Sequence, residues 1–251
     1  MSVSFSRKFP WAMLPRKTSV DTDFAAQSAT DYSDSFRWAR RNRVAESCWP
    51  WRVAQQLGWV LSSPIDICMT PIDDFELHCP EEDVSRVMKL SGASEIWKRD
   101  DTCIAVRGCP WLRMFDFKVN DCWDSMFVPN GQGTVEWRQG LQVDVPTGVC
   151  LLILPASQNA DLSVPAGLLT KKLLDGFNEG VGLSIAVHPN AKCHIKRGDP
   201  IAWLVPINEE VLQLKLYWFS VNWNFVWFEL VRVGRLPVEG IAASCREGLS
   251  L

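Results

Sequence analysis

The sequence predicts a mainly β protein, a sandwich, jelly roll or β-clip-like barrel, with an irregular and partly helical N-terminal portion. Three observations predict it. Short runs rich in Val, Ile, Leu and Trp recur after residue 100, each bounded by Pro or Gly. Few stretches carry the 3.6-residue period of an amphipathic helix. The stretch "KRGDPIAWLVPI" (196–207) places hairpin chemistry, Gly198-Asp199, before an apolar run, with Pro200 where a strand starts or an edge lies. Gly198 is expected to take a positive φ, and Ile201, Leu204 or Val205 to lie in the core.

The elements follow in order. Residues 1–36 are rich in Ser, Thr, Asp and Ala, have little periodicity, and read as a mobile or loosely docked leader. Residues 37–251 then read as one mainly β domain. "WPWRVAQQLGW" (49–59) predicts a short helix stopped by Gly58, and "WVLSSPIDICM" (59–69) a strand broken at Pro64. "CPEEDVSRVMKLSG" (79–92) is the best helix signal: Pro80 and three acids at the start, Val84, Val87 and Met88 on one face, Gly92 at the end. Strands are expected at 102–108, 112–119, 134–145, 149–155, 180–189, 192–198 and 200–207. In "LQLKLYW" (212–218), Leu212, Leu214, Leu216 and Trp218 share one strand face.

Composition narrows the function classes. With 251 residues, 47% hydrophobic and 22% charged, the chain has the make-up of a soluble globular protein. A net charge of -3 gives no general attraction for nucleic acid or an anionic membrane. The local cluster Arg37, Arg40, Arg41 and Arg43 reads as a solvated basic face, or as a phosphate-binding arm. The start of the sequence lacks the apolar segment of a secretory signal, and the nine cysteines form no CxxC pair. Free thiols in a reducing cytoplasm are therefore expected. The aromatic run "LYWFSVNWNFVWFELVRV" (216–233) is too short and too polar to span a bilayer. Thirteen Trp against two Tyr suit a core, a ligand-lined barrel mouth, or the interface of a homo-oligomer.

Residues 143–207 carry a resemblance. "VPTGVCLLILP", "ASQNADLSVPAGLL", "LLDGFNEGVGLSIAVHP" and "IKRGDPIAWLV" occur in the order of the core motifs of the dUTPase and dCTP deaminase superfamily. That resemblance implies a related β architecture, a nucleotide-like ligand, and Asp175 and Asp199 as candidate catalytic carboxylates. The catalytic motifs are incomplete. "ASQ" (156–158) has no Arg where that family contacts phosphate, and Trp203 stands where a Gln follows Ile-Ala. "VPAGLLTKK" and "IKRGDPIAWLVPI" also resemble an uncharacterised bacterial and phage β-protein family, in which an Asp often stands where this chain has Lys171.

Other chemistry is sparse. His188, Cys193 and His194 in "HPNAKCH" are competent ligands for a transition metal ion. Neighbours on a strand face opposite ways, so Cys193 and His194 share an ion only across a bulge. Cys109, between Gly108 and Pro110, lies in an exposed-looking turn and could pair with His188 or His194 as a nucleophile. His78 reads as a surface residue, and Asp73-Asp74 and Asp100-Asp101 as solvated turns. No phosphate loop or dinucleotide fingerprint is present. The sequence thus points to a small-molecule-binding β protein, with nucleotides as one ligand class and hydrolase activity lost or altered. A metal-dependent, oxygenase-like enzyme of specialised metabolism and a structural or assembly protein are the alternatives.

Overall fold

A computed structural model of the chain describes residues 2–18, 23, 27, 30, 48–99, 102–156 and 160–210. The chain divides into two compact units, 1–211 and 212–251, and every described residue belongs to the first. The Arg37–Arg43 cluster, Asp100-Asp101, Ser157-Gln158, the 212–218 strand, the 216–233 aromatic run and the expected boundary after residue 36 lie outside the described residues.

The mainly β expectation holds. One four-stranded sheet runs β14 (Gly167–Leu169), β12 (Val149–Pro155), β17 (Pro200–Asn208), β2 (Trp59–Ser62). A second runs β13 (Leu162–Ser163), β15 (Ser184–Pro189), β10 (Thr134–Arg138), β9 (Phe127–Gly131). A third has three strands, β4 (Asp73–Leu77), β6 (Thr102–Arg107), β5 (Glu95–Arg99). Among the described residues there are also three ribbons: β1 (Ser4–Arg7) with β11 (Leu141–Asp144), β3 (Ile67–Met69) with β16 (Cys193–Ile195), and β7 (Asp116–Val119) with β8 (Cys122–Ser125). All pairings between these strands are antiparallel, and none of the sheets closes into a barrel.

Period-2 patterning explains the core. Val135 and Trp137 of β10, Leu141 and Val143 of β11, and Ile185 and Val187 of β15 are buried, while their neighbours point elsewhere. Phe127 lies between Trp111 and Trp137, with ring centroids 5.2 and 5.3 Å away. Trp in this chain therefore serves the core in part, although Trp49 and Trp123 are exposed. The first residues are docked: β1 pairs with β11, and Trp11 joins Phe9 and Phe117 in an aromatic cluster.

The 196–200 turn forms as expected. Gly198 has φ 95°, a value that glycine adopts without penalty. Its N–H donates to Ser63 O at 2.8 Å, and Asp199 O accepts from Ser63 N at 2.9 Å. Asp199 Oδ2 caps the turn by accepting from Lys196 N at 2.8 Å. Beyond it, β17 pairs with β12 from Ala202↔Pro155 to Asn208↔Val149, and Ile201 and Leu204 are buried.

Among the described residues, three α-helices with stated bounds sit outside the sheets. Helix α1 (Trp49–Gln56) ends before Gly58, where a Cβ would lie 2.5 Å from Leu204 O. Helix α2 (Val84–Ser91) follows one 3-10 turn at Glu81–Asp83 and closes at Gly92; Val84, Val87 and Met88 share its half-buried face. Helix α3 (Lys171–Glu179) has no counterpart in the sequence reading, because Gly176 inside it weakens the helix signal. Thr170 caps it by accepting from Leu173 N. Its Asn178 amide pairs both ways with Val143 of β11, at 3.0 and 2.7 Å, standing in for a strand neighbour. Among the described residues, no helix is long and apolar enough to cross a membrane.

Candidate functional site

Alternation along β10 sends Val135 and Trp137 inward and Glu136 and Arg138 to the opposite face. That face is covered. Glu136 and Arg138 side chains are only 19% and 16% exposed, so their charges depend on each other and on neighbouring strands. Arg99, from β5, donates through Nη1 to Glu136 Oε2 at 2.5 Å and through Nη2 to Asn130 Oδ1 at 2.7 Å. Arg138 Nε lies 3.5 Å from Glu136 Oε1, an ion pair without hydrogen-bond alignment. Its Nη1 donates to Asp124 and to Ser125 O.

A second layer holds these groups. Ser125 Oγ accepts from Arg113 Nη1 at 2.7 Å and donates to Asp116 Oδ1 at 2.6 Å. The Arg113 guanidinium stands 5.0 Å from the centre of the Trp97 ring. Trp97 Nε1 is buried and has no hydrogen-bond partner. Strand alternation puts Trp97 and Arg99 on the same face of β5.

Burial alone would raise the Glu136 carboxyl. The Arg99 hydrogen bond, the nearby Ser184 hydroxyl and the charges of Arg99 and Arg138 outweigh it, and Glu136 is held below its ordinary value. Glu136 is therefore a fixed anion, poised to orient guanidinium groups rather than to exchange a proton near neutrality. Ser184 Oγ is itself buried without a hydrogen bond of normal geometry. The cluster can present Arg99, one-third exposed, and the Asn130 amide to a ligand.

The residues singled out in the sequence fall elsewhere. Asp175 lies on α3, half exposed, and pairs with Lys171 at 3.2 Å; that partner raises the Lys171 amine above its usual value. Lys171 also lies 3.7 Å from Asp144. Asp199 caps the 196–200 turn. His188, on β15, packs against Gly133, where a Cβ would come within 2.9 Å of its Nε2. Cys193 faces the core and His194 faces outward, as adjacent strand residues must. Among the described residues, no three His, Cys, Asp or Glu side chains are grouped to hold a metal ion.

Two expectations are corrected. Cys109 is not in an exposed turn: it is buried, and burial pushes its thiol up to about 11, which leaves it a poor nucleophile. Asp73 and Asp74 are not in a solvated turn but in β4, where Asp73 pairs with Arg107 at 3.0 Å and Asp74 Oδ1 accepts from Gly133 N at 2.8 Å. The residues that the sequence reading missed are Arg99, Asn130, Glu136, Arg138 and Ser184. The available signal was "VEWRQ", where oppositely charged residues share one face of a strand.

The class that this geometry defines is a mainly β protein built from several short antiparallel sheets, with a half-buried arginine–carboxylate cluster at its side. No family model matches the chain, and no curated protein matches it. Among solved structures, it is similar to a mutant dUTPase from phage phi11 of S. aureus, in which a structural Mg(II) ion is coordinated. The two are 10% identical, with a TM-score of 0.36, over 83% of this chain and 91% of that one.

Proposed function

We propose that the chain is a small-molecule-binding β protein whose ligand is a planar anion, with nucleotides the first class to test. The observation that carries the reading is Arg99. Its guanidinium is held by Glu136 and Asn130, stays partly open to solvent, and shares a strand face with Trp97, whose indole N–H lacks a partner. A fixed guanidinium offers paired donors to carboxylate or phosphate, and an indole adds apolar surface. The motif order over 143–207 adds the nucleotide class. Asp175 on an exposed helical turn and Asp199 capping a hairpin support binding with turnover lost or altered.

A thermal-shift panel of nucleotides and aromatic carboxylates at millimolar concentration tests it. A ligand at 100 times its Kd stabilises by about 2.7 kcal/mol, enough to raise Tm by several degrees in a domain of this size. The shift should disappear in Arg99→Lys and shrink in Asn130→Ala. A panel without any shift, or a shift that Arg99→Lys leaves intact, would count decisively against this site.

A further inference from the structure

The ribbon β3–β16 holds a pair of groups that the cluster above does not use. Cys68 and His194 are direct cross-strand partners, with Cys68 Sγ 3.7 Å from His194 Nε2. The ribbon is pinned beside them: Arg197 N donates to Asp66 Oδ1 at 2.9 Å, and Gly198 N and Asp199 O both bond to Ser63. Ile67, Met69, Cys193 and Ile195 point into the core, so Cys68 and His194 occupy the outward face. Lys192 and Lys196 flank His194 at two-residue spacing and are exposed like it, so two lysines stand on that face, with the Asp66 carboxylate held by Arg197 N beside Cys68.

We propose that Cys68 is a reactive thiol, with His194 as its proton acceptor, and that it takes up anionic small-molecule disulfides. In the tautomer protonated at Nδ1, His194 Nε2 accepts the Cys68 Sγ proton. The sulfur then attacks one sulfur of the disulfide. The S–S bond breaks, its electron pair leaves on the other sulfur, and that thiolate takes the proton from the imidazolium. Cys68 ends as a mixed disulfide, and half of the co-reactant is released as a thiol. Lys192 and Lys196 attract the carboxylates of the incoming disulfide. Other cysteines of the chain contrast with this arrangement. Burial raises the Cys150 and Cys193 thiols, and the exposed Cys122 faces Val119 across its ribbon. With no third metal ligand grouped nearby among the described residues, and lysines around it, the pair suits a thiol reaction better than a cation. This inference is independent of the ligand reading at Arg99.

The test is S-thiolation of the full chain by oxidised glutathione, with site-resolved mass spectrometry and Cys122 as internal reference. Cys68 should react at least about tenfold faster than Cys122, and His194→Ala should remove most of that advantage. Lys192→Ala with Lys196→Ala should slow glutathione disulfide several-fold but leave the neutral hydroxyethyl disulfide unchanged. Circular dichroism and melting of each variant check that the fold is retained. Equal rates at Cys68 and Cys122, or a rate ratio unmoved by His194→Ala, would overturn the proposal. Stoichiometric protection of Cys68 by Zn2+, with a His194-dependent Co2+–thiolate absorption band, would replace it with a metal site.

Discussion

Glu136→Gln is the most informative single change, because it keeps shape and removes one charge. In the parent, Glu136 accepts from Arg99 at 2.5 Å and faces Arg138 at 3.5 Å, with all three side chains at least two-thirds buried. Breaking a fully buried ion pair costs about 3–5 kcal/mol. Here the arginines keep partial company: Asn130 for Arg99, and Asp124 and Ser125 O for Arg138. The introduced amide also still offers one acceptor. The loss is therefore nearer that of one charge-assisted hydrogen bond, about 2 kcal/mol, or roughly 4–8 °C in Tm. The pH dependence has a definite sign. Glu136 is held below its ordinary value of 4.5, so its contribution is fully present above that pH and is lost as pH falls through the depressed folded value. Urea melts of parent and variant should differ by about 2 kcal/mol at pH 7, and the difference should shrink as pH falls through the depressed folded value. A difference below about 0.5 kcal/mol at pH 7, or one equally large in acid, would refute the electrostatic account.

Two further outcomes concern the 193–207 stretch. Leu204→Ala removes a fully buried side chain on β17, between Ile153 and Trp59 across the sheet, and should cost about 2–5 kcal/mol in a denaturant melt; parent-like stability would show that the core assignment fails. Asp199→Ala removes one solvent-exposed side-chain hydrogen bond to Lys196 N, and should cost within about 1 kcal/mol while leaving any nucleotide-induced thermal shift intact. Loss of that shift at unchanged Tm would move Asp199 from a turn cap to a ligand contact.

What was legible in the sequence was local. Gly198 and Pro200 mark a turn through backbone chemistry alone, and "VCLLILP" maps onto β12 because a continuous apolar run suits a central strand. Helix α2 ends at Gly92 as its composition demands. What was not legible depends on distant partners. Strand β4 begins with two aspartates, which strand propensity disfavours; Arg107 neutralises Asp73 and the Gly133 N–H donates to Asp74 Oδ1, both supplied from elsewhere in the chain. Helix α3 carries a central glycine, and its docking through Asn178 to Val143 is tertiary.

The candidate site was hidden for the same reason, in a stronger form. Alternation in "VEWRQ" shows that Glu136 and Arg138 leave the core face, and the simplest reading of such a face is solvent. Only the fold brings Arg99, 37 residues away, over Glu136. The cost of that arrangement bears on its meaning. Well-packed apolar side chains at Arg99, Glu136 and Arg138 could give equal or greater stability, since desolvation of buried charges offsets most of their attraction. A cluster of this kind, with the buried Trp97 Nε1 unpartnered beside it, is hard to account for as a device for stability alone. It is better accounted for if the fixed, partly exposed Arg99 serves a ligand. The Glu136→Gln variant separates these roles: a structural network loses stability in it, whereas a binding network also loses the ligand-induced shift.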